Sequence, residues 1–365
     1  MKLSELTACI ESLAPLSYQE DYDNAGLLVG SADSEVNSAL ISLDCTEDIV
    51  DEAIRTGSDL IISHHPIVFK GLKKFNGKTY VERVVMKAIR HNIALYAVHT
   101  NLDSIHTGVN AMICEKLGIQ EPRILSPKNN LLKKLVTFCP FSQAAQVREA
   151  LFTAGAGQIC DYDSCSYNTD GTGTFRGNEN TEPFAGEPGK LHTEPETRIE
   201  VIYPITIERN LLKALAAAHP YEEVAYDLYP LANTHPLVGP GMIGNLAEAQ
   251  DELDFLRFVK SQLGASVIRH TKLLGKKVKK VAVCGGAGGF LLPHAIAAGA
   301  DVFVTADYKY HEFFDAEEKI VIADAGHFES EQFTQQLLFG IIRKKFPTFA
   351  LRLTEINTNP INYLI

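Results

Sequence analysis

No CxxC pair occurs among the seven cysteines of this 365-residue chain (Cys9, Cys45, Cys114, Cys139, Cys160, Cys165 and Cys284), and their number is odd. That disfavours a disulfide framework and a thiolate zinc site, and makes a reducing, cytoplasmic setting the expectation. No apolar run approaches the roughly 20 residues that span a bilayer, so no membrane partner is expected. The opening MKLSELTACIESLAPLSYQED carries Ser4, Glu5 and Glu11 within its apolar stretch; it lacks the basic start and unbroken apolar centre of a signal peptide and reads as an amphipathic helix. Positive charge is scarce as well. A formal net charge of −11 opposes a phosphate backbone and gives nucleic-acid binding no global support. The basic cluster KLLGKKVKK (272–280) reads as a solvated strand edge.

What is present is an ordinary globular balance, 45% hydrophobic and 22% charged, over a length that suits two or three domains. From residue 38 to about 120, β-branched runs (SALISLD, DLIISHH, IALYAVHT) alternate with helical patterns, the mark of βαβ units on a largely parallel sheet. The order then changes to strand, helix, a Gly-rich polar region, strand, helix, strand, which is the β-α-β-β-α-β order of a ferredoxin-like domain. Beyond residue 240 the first pattern returns through KKVAVCGG, DVFVTAD, KIVIADAG and a long helix over about 328–345. The expected organisation is therefore α/β: two related βα-rich halves, 1–126 and 234–365, forming one metal-binding unit, with a ferredoxin-like α+β insert at 127–233.

Three strand exits carry the chemistry. The first ends in Ser63-His64-His65-Pro66, the next runs from His99 to Asp103, and the last runs from Asp324 through His327 to Glu331. α/β sheets gather functional groups at the carboxyl ends of their strands. Imidazole and carboxylate together suit zinc, iron, manganese or a related divalent ion. Adjacent histidines in an extended strand point to opposite faces, so His64 and His65 each suit a different ion. His327 and Glu331 lie one helical turn apart and face the same cluster, where a carboxylate can bridge two ions. The run Gly285-Gly286-Ala287-Gly288-Gly289, including Gly285, Gly286, Gly288 and Gly289, lies between a strand and a helix. It is either an anion site built from backbone amides or a tight turn with close helix–sheet packing. His311 and Asp315, four apart on a predicted helix, suit a proton-transfer pair or a simple helix decoration.

These segments resemble the NGG-one-interacting factor three family, whose bacterial members are often named GTP cyclohydrolase I type 2 homologues. The similarity lies in DNAGLLVG (23–30), DLIISHHPIVFKGLKK (59–74), VHTNLDSIHTGVN (98–110), CGGAGGFLLPHAIAAGADVFVTADYKYHEFFDA (284–316) and DAGHFESE (324–331). Residues 173–201 resemble the insert of the family's long form. The resemblance implies a dinuclear centre of two divalent ions on His64, His65, Asp103, His327 and Glu331, with His99 in or beside it and His106 on the surface. It implies a toroidal homohexamer and an insert similar to a small signalling-protein fold. It also implies hydrolytic opening of the guanine imidazole ring of GTP with release of formate. In that scheme His99 or His311 shuttles protons and the glycine run holds triphosphate. Another metal-assisted phosphoester or nucleotide hydrolase, and a non-enzymatic metal-binding regulatory assembly, remain open alternatives.

Overall fold

The computed structural model describes residues 1–364. The first stretch holds α1 (Leu3–Leu13), β1 (Gly26–Val29), β2 (Ser38–Ser42), α2 (Glu47–Thr56), β3 (Leu60–Ser63), α3 (Tyr80–Arg90), β4 (Ala94–Ala97), α4 (Thr100–Asp103), α5 (Val109–Lys116) and β5 (Gln120–Ile124). Next come β6 (Leu132–Pro140), α6 (Ala144–Thr153), β7 (Tyr167–Phe175), β8 (His192–Pro204), α7 (Glu208–Ala218) and β9 (Tyr226–Pro230). The last stretch holds β10 (Met242–Asp251), α8 (Glu252–Gln262), β11 (Arg269–His270), β12 (Lys277–Ala287), α9 (Leu292–Ala297), β13 (Val302–Ala306), β14 (Val321–Asp324), α10 (His327–Glu331), α11 (Thr334–Lys345) and β15 (Ala350–Leu353). The chain separates into two compact units, one of Met1–Pro127 with Leu237 onward and the other of Lys128–Pro236.

The first unit contains two sheets. One has the order β1-β4-β3-β2-β15, with β15, β2, β3 and β4 parallel and β1 antiparallel at the edge. The other has the order β11-β14-β13-β12-β10-β5, with a parallel centre of β12, β13 and β14. Alternate residues of that centre enter different cores. Val281, Val283, Val302, Val304 and Val321 pack with Phe255 on one face, while Ala282, Phe303 and Ile322 pack with Leu291 and Ala295 on the other. Burial on both faces is why these strands read as unbroken apolar runs, and each fully buried large side chain contributes roughly 1.5–3 kcal/mol.

The halves 1–126 and 234–365 exchange strands: β5 pairs with β10, and β15 pairs with β2. Each exchange gives an open sheet edge a strand from the other end of the chain. The lysine run, for its part, is no sheet edge, because Lys277, Lys279 and Lys280 begin the interior strand β12. Lys277 pairs with Asp251 at 2.9 Å, and Lys279 and Lys280 donate to the carbonyls of Ala247 and Ala298.

The second unit has one antiparallel sheet of order β7-β8-β6-β9. Val147 and Leu151 of α6 and Leu211 and Leu215 of α7 pack on Leu135, Cys139, Ile199, Val201 and Tyr203 of the sheet. Among the described residues no helix is long and apolar enough to cross a membrane.

In the first unit, the amides of Leu125 and Ser126 donate to the carbonyls of Gly241 and Pro240, so the chain ends flanking residues 128–236 lie side by side. Replacing 128–236 by a short Gly-Ser linker should therefore leave a first unit that unfolds in one cooperative transition. Residues 128–236 expressed alone should do the same, since they hold their own core. Calorimetry of both fragments checks this, and a fragment without a transition would show that its core does not suffice.

Candidate metal centre

Six parallel-strand exits of the first unit supply one site. Asp44 lies just beyond β2, His64 and His65 follow β3, and His99 lies just beyond β4 with Asp103 closing α4. Asp307 follows β13, the glycine run ends β12, and His327 opens α10 after β14. The helical turn of α10 places Glu331 Oε2 3.0 Å from His327 Nε2.

Each imidazole is anchored at Nδ1. His64 Nδ1 lies 2.7 Å from the Val98 carbonyl, His65 Nδ1 2.8 Å from Asp44, His99 Nδ1 2.7 Å from Asp23 and His327 Nδ1 2.7 Å from Asp307. All four partners are acceptors, so each Nδ1 carries a proton and each Nε2 is the ring atom left to face the cluster, the arrangement that orients metal-binding histidines. The Nε2 atoms of His65 and His327 come within 3.2 Å of each other, and His65 Nε2 is 3.0 Å from Glu331 Oε2. His64 Nε2 is 3.6 Å from Asp103 Oδ1 and 3.8 Å from Glu331 Oε2. Both His64 Nε2 and Asp103 Oδ1 are buried with no hydrogen-bond partner.

The titration behaviour follows from this crowding. Burial and the neighbouring Glu331 charge hold the Asp103 carboxyl well above its usual range. Burial would also raise Glu331, but the imidazoles of His327, His64 and His65 outweigh it and keep that carboxylate ionised. Burial lowers His64. Against the same burial effect, Asp44 and Glu331 raise His65 to about 9, and Asp307 and Glu331 raise His327 to about 11. Asp23 is held at about 2: burial opposes ionisation, but hydrogen bonds from His99 and Thr100 prevail.

His64, Asp103 and Glu331 form one group whose ligand atoms lie within 4.8 Å of one another; His65, His327 and Glu331 form another, and His64, His65 and His99 a third. His106 is exposed. His311 does not join the cluster. It is exposed on a 3-10 helix over Tyr310–Ala316, with its ring against Tyr310 and Phe314. At three residues per turn His311 and Asp315 leave the common face that an α-helix would give them. The glycine amides face inward rather than toward an anion. Gly285 donates to Asn110 Oδ1, Gly286 to Ser330 Oγ and Gly288 to Thr305 Oγ1, which favours the close-packing alternative. Asp44 and Asp307 were legible only as acids ending the runs SALISLD and DVFVTAD, and Asp23 only as part of DNAGLLVG. A cavity of about 640 Å³ opens above the cluster, with Tyr22, Phe69 and Phe290 on its wall.

Residues 1–360 match the model of the family described as Duf34/NIF3 (NGG1p interacting factor 3). The chain belongs to that family. Among NIF3 relatives, it is 38% identical over 360 residues to a GTP cyclohydrolase 1 type 2 homolog of Halalkalibacterium halodurans, covering 97% of this chain and 96% of that one. A Bacillus subtilis protein of the same name is 36% identical over 366 residues, covering 99% and 98%. The crystal structure of a Bacillus cereus protein related to NIF3 superposes with a TM-score of 0.88 at 38% identity, covering 100% of this chain and 99% of that one.

Within this NIF3 site, Gly286 holds a backbone φ of +62°, and a Cβ there would sit 2.3 Å from Glu331 Oε1 and 3.2 Å from His327 Cε1. The Gly286→Ala variant should lose about 1–3 kcal/mol of stability through the left-handed backbone alone. It should also bind divalent metal more weakly, because Glu331 must move. Denaturant unfolding and metal titration check the two effects, and a variant unchanged in both would show that the close approach is dispensable.

Proposed function

We propose that the chain is a metal-dependent hydrolase whose two divalent ions are held by His64, His65, Asp103, His327 and Glu331. The observation that carries the reading is the convergence of these donor atoms, among which His64 Nε2 and Asp103 Oδ1 are buried without a hydrogen-bond partner. Two groups share Glu331: His65 and His327 on one side, His64 and Asp103 on the other, which supports a bridging carboxylate. Nitrogen and oxygen donors fit zinc, iron or manganese. Cys45 and Cys284 line the same cavity, but burial pushes both thiols up, Cys45 to about 12, so neither offers a thiolate.

Bound there, such ions supply Lewis acidity, polarising an electrophilic substrate atom and making water a stronger nucleophile near neutral pH. His99 presents Nε2 to the cavity and is placed to accept a proton, while Asp23 holds the resulting imidazolium. The relatives' name supports GTP as the substrate, the family resemblance supports ring opening with formate release, and the aromatic wall suits a planar ring. With the amides of Gly285, Gly286 and Gly288 already engaged, recognition falls on that ring more than on the phosphates. On its element order we read the second unit as an inserted ferredoxin-like domain. The family resemblance supports a cytoplasmic homohexamer, which sedimentation of the purified protein tests.

Formate should appear when the metal-loaded protein is given GTP, and its absence across zinc, iron and manganese would remove the GTP reading. Glu331→Gln removes a charge that offsets two cations, so metal content and turnover should both fall at least tenfold, about the effect of losing one such partner, while His106→Ala keeps both. A Glu331→Gln protein with two ions and full turnover would overturn the bridging assignment.

Metal and protons compete for the same atoms. His65 and His327, raised to about 9 and about 11, hold protons at neutral pH in the ion-free site and must release them on binding. Apparent metal affinity should therefore rise with pH through that range, with about two protons released per chain near neutrality. In the ion-free protein the sign for stability is opposite: the imidazolium contacts contribute fully below the ordinary histidine value of 6.5 and are lost as pH rises through about 9 and then about 11. Calorimetric titration in buffers of different ionisation enthalpy measures the protons, and zero release would contradict the ligand set.

A further inference from the structure

The second unit contains a cavity of about 620 Å³ that the metal chemistry does not use. On β8, the side chains of Ile199, Val201 and Tyr203 enter the helix-covered core, so by strand alternation Glu196 and Arg198 point to the opposite, open face. There the cavity is lined by Phe175, Phe184, Tyr221 and Glu196. The Tyr221 ring lies 5.9 Å from that of Phe175 and 6.2 Å from that of Phe184, and its hydroxyl donates to Glu196 Oε1 at 2.6 Å.

Glu196 is only 8% exposed, and among the described residues no cation pairs with it. The nearby imidazole cannot serve. His219 Nε2 donates to the Phe138 carbonyl and its Nδ1 accepts the Tyr221 amide, which fixes the ring in its neutral form. Arg198 is committed to Glu200 at 2.8 Å, and His192 to Glu194 at 2.7 Å. The second carboxylate oxygen lies where a side chain at position 173 would begin, so Gly173 lets Glu196 Oε2 approach the β7 backbone. A buried carboxylate with one hydroxyl donor and no counter-charge is costly. Asp170, Glu222 and Glu223 on the rim add negative charge against the guanidiniums of Arg176 and Arg198.

We propose that this cavity binds a small organic cation, with the Glu196 carboxylate as counter-charge and the rings of Phe175, Phe184 and Tyr221 as walls. An alkylated ammonium meets both halves of the site, because its charge is attracted by aromatic faces as well as by the carboxylate and its methyl groups fill apolar space. The proposal stands independently of the metal centre.

The test uses the full-length protein with choline and its uncharged isostere 3,3-dimethylbutan-1-ol, followed by calorimetry and ligand-observed NMR. Choline should bind saturably and at least about tenfold more tightly than the isostere, the scale of a desolvated cation–π contact. Glu196→Gln and Phe184→Ala should each weaken choline by about tenfold while leaving metal content unchanged; Phe184 is 55% exposed, so its removal leaves the fold intact. Equal affinity for the isostere would overturn the proposal, as would binding indifferent to both substitutions or no saturable binding of choline or tetramethylammonium. Displacement of choline by inorganic phosphate would also overturn it, assigning the cavity to anions through Arg176 and Arg198.

Discussion

An imidazole held at one nitrogen has little freedom left at the other, and the first unit is arranged around that constraint. Val98, Asp44, Asp23 and Asp307 grip the Nδ1 atoms of His64, His65, His99 and His327. Three of those four acceptors are carboxylates at loop or strand-exit positions, so the electrostatics of the site are set one layer behind the donor atoms. The strands keep these grips in register because their side chains are buried on both faces. A rotation of β3 or β14 would disturb a core before it moved a histidine.

The same convergence crowds like charges together. Two carboxylates share a crowded space and are pushed in opposite directions, Asp103 upward by burial and the Glu331 charge, Glu331 downward against burial by the imidazoles of His327, His64 and His65. The cavity of the second unit poses a smaller version of the problem at Glu196. Glu331 has the imidazoles of His65 and His327 against it, whereas among the described residues no cation pairs with Glu196.

The strand exits were readable because apolar runs stopped abruptly at His-His, at His99 with Asp103 four residues on, and at His327 with Glu331 one turn on. Those spacings have local geometric meaning. Contacts made across the chain have none, which is why the glycine run was ambiguous: its amides find Asn110, 175 residues away, and Ser330, 44 residues away. His311 was ambiguous for a different reason, since a spacing of four implies a shared face only if the turn is α rather than 3-10. The supporting acids Asp44 and Asp307 looked like ordinary strand ends, because nothing in SALISLD or DVFVTAD says which imidazole each will face.

The exchange of edge strands has a consequence for biosynthesis. The sheet that carries His64, His65 and His99 cannot gain its last strand until β15 has left the ribosome, and His327 and Glu331 emerge only shortly before it. Throughout translation, then, the nascent chain displays an incomplete donor set on an unfinished scaffold. Binding free energy that depends on all the donors is available only to the finished chain. Late closure thus means that the candidate donors meet on a finished scaffold only once the C-terminal strand has been made.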